Sequence, residues 1–146
     1  MGFIMKIYVA SSWRNLAQPT VVRDLVKSGH SVYDFRNPAP GNNGFAWSSI
    51  DPNWKNWTPE EYIEALNHPA AIDGYYNDFD AMREADAVVL VLPCGRSAHL
   101  ELGWAVGAGK ITAILMLGDN EPELMAKMVN LITPSIDVLV DWLSTL

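Results

Sequence analysis

Two carboxylates are the side chains of this sequence best placed to do chemistry: Glu101 and Asp78. Glu101 lies in the opening turns of a segment, Ser97 to about Ala108, that reads as a helix and follows the apolar run Asp86–Leu92. Backbone N–H groups and the helix dipole favour an ionised carboxylate there. Such a group, partly desolvated, suits attack on an anomeric carbon while a second carboxyl group protonates the departing group. The competing readings are plain ones: Glu101 as a surface glutamate of a helix, and Asp78 as a residue that starts or caps one.

The elements around them decide whether the two meet. Residues 4–10 form a short apolar run that reads as a buried strand, broken by Ser11-Ser12-Trp13-Arg14-Asn15. A helix from about Pro19 to Gly29 and a strand from His30 to Phe35 complete a strand–helix–strand opening, which implies a parallel sheet. Thr58-Pro59-Glu60-Glu61 starts a helix that fades near Asn67-His68-Pro69, and another runs from about Ala70 to Ala85, with Gly74 a possible interruption. After the strand Asp86–Leu92 come a tight loop, Pro93-Cys94-Gly95-Arg96, and the helix carrying Glu101, ended by Gly109. Ile111–Leu117 is the next strand, Pro122 opens a helix to about Met128, and Val129–Ile132 is a short strand. Thr133-Pro134 caps a last helix to Leu143.

This alternation predicts one α/β domain over residues 1–146, with a flavodoxin-like or Rossmann-like parallel sheet of four to five strands and helices on both faces. In such a sheet ligands bind beyond the carboxyl ends of the strands. The turn after the first strand, the segment Gly95–Glu101 and the start of the helix holding Asp78 should meet there. Asp78 and Glu101 would then share a cleft with Tyr8, Ser11, Ser12, Trp13, Arg96 and Ser97. Residues 36–58 are rich in Pro, Gly and Asn yet hold Phe45, Trp47, Trp54 and Trp57. They read as an irregular loop whose tryptophans, Trp47 among them, wall the pocket or else pin the loop to the body.

A formal charge of −7, with its ten basic residues scattered, argues against a nucleic-acid partner. No apolar run is long enough to span a membrane. The start MGFIMKIYVASSW lacks a basic region followed by a long apolar stretch, so a cytoplasmic setting is expected. One cysteine and three scattered histidines give no disulfide framework and no metal site. Cys94 and His99 lie close in sequence without a thiol-protease pattern, and Gly95-Arg96-Ser97-Ala98-His99 is not a nucleophile elbow.

The segment Ala98-His99-Leu100-Glu101-Leu102-Gly103-Trp104-Ala105 resembles the Glu-Leu-Gly-Tyr-Ala signature of nucleoside 2-deoxyribosyltransferases, shared with the deoxynucleoside monophosphate N-glycosidases. Tyr76-Asn77-Asp78-Phe79-Asp80, with Asp86 eight residues after Asp78, is similar to that family's Asn-Asp element. Ile7-Tyr8-Val9-Ala10-Ser11-Ser12-Trp13 is similar to its first strand and turn. The three stretches fall in the family's order and the resemblance covers most of the chain, with the 36–58 loop unmatched.

The resemblance implies that Glu101 is a nucleophile forming a glycosyl–enzyme intermediate, that Asp78 moves a proton at the base, and that Tyr8 orients the glutamate. Asp80 is the alternative to Asp78, which is preferred for its spacing to Asp86. The resemblance also implies a nucleoside or nucleotide substrate, no cofactor or metal, and a homodimer or larger homo-oligomer. The transferases' acidic residue before the glutamate is missing here; Cys94-Gly95-Arg96-Ser97 offers an arginine and a hydroxyl at a helix start instead, which suits a 5′-phosphate. Two rivals stand beside this reading: NAD cleavage of the Toll/interleukin-1-receptor-like type, and a non-catalytic nucleotide-binding module.

Overall fold

The computed structural model describes residues 4–146. Five parallel strands form one sheet in the order β2-β1-β3-β4-β5. They are β1 (Lys6–Ala10), β2 (Ser31–Asp34), β3 (Ala87–Leu92), β4 (Ile111–Met116) and β5 (Leu131–Thr133). The helices are α1 (Gln18–Lys27), α2 (Pro59–Ala65), α3 (Pro69–Glu84), α4 (Arg96–Gly107) and α5 (Ile136–Thr145). The architecture is the parallel α/β sheet read from the sequence. The strand order reverses between β1 and β3, which opens the crevice where such sheets bind ligands.

Side-chain alternation along the strands divides the core in two. Ile7 and Val9 of β1 and Val89 and Val91 of β3 face α1 and α5, packing on Val21, Leu25, Leu139 and Leu143. Tyr8, Ala10, Val88 and Leu90 point the other way, onto Met82 of α3 and Ala98, Leu102 and Ala105 of α4. β3 is buried on both faces from Ala87 to Val91, as its unbroken apolar sequence requires.

Several local expectations need correction. α3 is not interrupted at Gly74; a Cβ there would lie 2.9 Å from the Cβ of Phe45, so the glycine makes room for a loop side chain. Pro122 opens no α-helix: Glu123 is extended, and only a 3₁₀ turn, Leu124–Met128, follows. The chain is already tied to β4 at Asn130, whose side-chain oxygen accepts from the Thr112 N–H at 2.9 Å, so little length remains for a helix. The cap of α5 is Ser135, whose Oγ accepts from the Val138 N–H, while Thr133 Oγ1 accepts from the Ser135 N–H just outside.

Residues 36–58 contain two 3₁₀ turns, Trp47–Ser49 and Trp54–Asn56. Thr58 and Glu61 form a full capping box on α2, as the Thr-Pro-Glu-Glu start leads one to expect. Among the described residues no helix is long and apolar enough to cross a membrane.

Candidate active site

Tyr8 reaches the site because β1 alternates: its neighbours Ile7 and Val9 face α1 and α5, so its ring must face α3 and α4. There the phenol, 1% exposed, donates a hydrogen bond to Glu101 Oε2. Glu101 sits in the second turn of α4, between Ala98 and Leu102, which anchor that helix on the sheet.

Tyr33 of β2 is the direct partner of Tyr8 in the parallel register, and the two rings stack at 5.3 Å with an interplanar angle of 10°. The Tyr33 phenol donates to Asp78 Oδ1 at 2.8 Å. Two tyrosine–carboxylate pairs therefore lie side by side, one from β1 to α4 and one from β2 to α3. Asp78 lies past the middle of α3, not near its start, because the helix begins at Pro69. Asp80 turns away and pairs with Arg83 on the exposed side. Asp86, whose spacing favoured Asp78, takes no part: its Oδ2 accepts from the Lys6 N–H at 2.9 Å, at the opposite end of the sheet.

Burial governs the electrostatics here. Desolvation pushes the Glu101 carboxyl up to about 7; the Tyr8 hydrogen bond pulls it down and the Asp78 charge adds a further rise. Asp78 is likewise raised by burial and partly restored by Tyr33. Both phenols are pushed upward by burial and by the carboxylates. The helix dipole alone led to an ionised Glu101, but its influence fades within the first turn while burial acts on the whole carboxyl group. The two carboxyl groups are electrostatically coupled, since the charge on Asp78 acts on Glu101.

The rim residues do different work. Ser11 Oγ donates to the Val91 carbonyl at 2.8 Å, and Asn15 Nδ2 donates to Val91 O and Pro93 O, which stitches the turn after β1 to the end of β3. Ser12 Oγ accepts from the Arg14 N–H within its own turn. Trp13 stands half exposed, edge-on to Phe35. Arg36 lies over its ring at 5.3 Å and donates to the carbonyls of Ser12, Trp13 and Asn15. Arg96 and Ser97 are exposed at the start of α4, whose N-cap Gly95 supplies no side-chain cap. Burial and the Glu101 charge raise the Cys94 thiol to about 11, so it stays a thiol.

Trp47 is not brought to the carboxylates by any of its ring contacts. It packs edge-on against Phe45, Trp57 and Tyr62, and Trp57 Nε1 donates to Asp51 at 2.8 Å. This cluster pins the loop to α2, while Gly44 lays its backbone against Trp13. Tyr33, Arg36 and Asn15 went unnoticed in the sequence. The signal for Tyr33 was there: a tyrosine in each of the first two strands, which meet only once the register is known. Among the described residues no three His, Cys, Asp or Glu side chains converge to hold a metal ion.

A comparison with protein-family models finds no match, and no curated protein matches the sequence. Solved structures do resemble it. The chain superposes on the 2-deoxyribosyltransferase of the psychrotolerant bacterium Bacillus psychrosaccharolyticus with a TM-score of 0.57 and 19% identity, over 93% of this chain and 90% of that one. It superposes on the CMP N-glycosidase of Clostridium botulinum with a TM-score of 0.50 and 16% identity, over 94% of this chain and 97% of that one. At these identities the likeness establishes a shared fold along nearly the whole chain.

Proposed function

We propose that this protein cleaves the N-glycosidic bond of a (deoxy)nucleoside or its 5′-monophosphate, passing the sugar to another base or to water. The observation that supports the reading is the pair of partly buried carboxyl groups, Glu101 and Asp78, each held by a tyrosine of the sheet. Both structural neighbours act on substrates of this kind by name.

In the first step a Glu101 oxygen attacks C1′ and the C1′–N bond breaks. The bonding pair leaves with the base, which takes a proton from the Asp78 carboxyl group. Asp78, now ionised, accepts a proton from the incoming base or water as that nucleophile attacks C1′ and releases Glu101. Two displacements at C1′ retain its configuration. Tyr8 fixes the attacking oxygen and lowers the cost of its ionised form. Trp13 offers a flat apolar wall, with Ser11 and Ser12 shaping the turn beneath it. Arg96, Ser97 and the uncapped N–H groups of α4 suit a 5′-phosphate.

Incubation with deoxynucleosides, ribonucleosides, their monophosphates and NAD, followed by chromatography for free base and nicotinamide, tests this directly. Base release is expected, with monophosphates preferred, and Glu101→Gln should lower it by orders of magnitude while circular dichroism stays native. Arg96→Ala should cut kcat/KM for the monophosphate alone, by roughly ten- to a hundred-fold. Release of nicotinamide only would move the activity to NAD. No release from any substrate would leave a nucleotide-binding module.

A further inference from the structure

We propose that Tyr33 is the positioning residue for Asp78: its phenol fixes Oδ1 and leaves Oδ2 as the oxygen that exchanges a proton with the base. The inference deepens the reading above and rests on it for its catalytic meaning. It stands on geometry. The hydrogen bond is 2.8 Å long, and Tyr33 is itself immobilised by its stack on Tyr8, whose hydroxyl holds the other carboxylate. Tyr8 and Tyr33 are register partners in the sheet and their rings stack at 5.3 Å, so the two phenols that hold the carboxyl groups are fixed relative to each other. An aspartate on a helix surface otherwise rotates freely about two torsions, and a proton transfer needs it within hydrogen-bond reach of one atom.

The groups facing Asp78 are few. Tyr33 approaches it from β2, Tyr8 and Glu101 lie within electrostatic reach on β1 and α4, and Asp34 acts on Tyr33 from the end of β2. Only Tyr33 donates to the Asp78 carboxyl group among the described residues. Neither Asp80 nor Asp86 can replace it as the held carboxylate, since they are engaged with Arg83 and the Lys6 N–H.

Tyr33→Phe keeps the ring stack and removes the phenol alone. The test combines that variant, Asp78→Asn and the double variant in the base-release assay with a carbon-13 NMR titration of the Asp78 carboxyl group. Tyr33→Phe is expected to lower kcat about tenfold with KM little changed, and to have no further effect in the Asp78→Asn background. The Asp78 signal should titrate about one pH unit higher in Tyr33→Phe, because a donor to the ionised form is gone. A loss of equal size in both backgrounds would overturn the proposal, since Tyr33 would then act on substrate or packing directly. If the wild type releases no base, the function above falls, and the titration still decides: an unchanged Asp78 signal overturns the positioning role.

Discussion

Glu101 is pulled in opposite directions, upward by burial and the Asp78 charge, downward by the Tyr8 phenol, and burial wins. The proposed role as nucleophile requires the ionised form, which burial makes costly. In the unfolded chain this group loses its proton near 4.5, and in the folded protein near about 7. Between those values the folded state holds a proton that the unfolded state has released, so the contribution of Glu101 to stability declines as pH rises through that window. Glu101→Gln has no proton to lose. Its melting temperature should match the wild type near pH 4.5 and exceed it at pH 8, by the equivalent of roughly 3 kcal/mol. Thermal melts of both proteins across that range check this, and an identical difference at both ends would show that no buried carboxylate is being ionised.

The loop after β2 and the turn after β1 form one unit at the element scale. Gly44 takes a φ of +90°, and a Cβ there would meet the Phe35 carbonyl at 2.6 Å and the Trp13 ring at 2.7 Å. Backbone, not a flexible tip, is in the way. Gly44→Ala should cost about 1–3 kcal/mol and displace Trp13 from its packing against this loop, seen as lower thermal stability and red-shifted tryptophan emission. Gly41→Ala, with φ +79° but open space around it, separates the two causes: a strained conformation alone should leave the emission unchanged. The elements that sequence patterns locate well are those with strong local signals, such as the capped start of α2 and the apolar β3. The segment after Pro122 misleads because its tie to β4 through Asn130 is a tertiary contact.

For the whole molecule, the sheet is shared by two cores, so damage on either side should unfold both. Leu25 is the residue by which α1 packs on one face of the sheet, and Leu90 of β3 lies under α3 and α4 on the other, each fully buried. Leu25→Ala and Leu90→Ala should each cost roughly 2–5 kcal/mol, with near- and far-ultraviolet circular dichroism melting together. Leu100→Ala, at an exposed position of α4, should stay within about 0.5 kcal/mol of wild type. Separate transitions for the two probes in either core variant would mean that the layers unfold independently.

The sequence by itself determined the alternation of strands and helices, and hence the parallel sheet and the edge at which Tyr8 and Glu101 meet. Periodicity, caps and breakers are local properties, and the topology of a parallel sheet follows from them with few alternatives. Only the tertiary structure decided the partners. It paired Tyr33 with Tyr8 through strand register, gave Asp78 to Tyr33, sent Asp80 to Arg83 and Asp86 to Lys6, and committed Trp47 to a loop cluster. It also set the Glu101 carboxyl at about 7, where the helix start alone would lower it. A helix start can be read from the residues nearby, but desolvation is set by everything packed around the group, much of it distant in the chain.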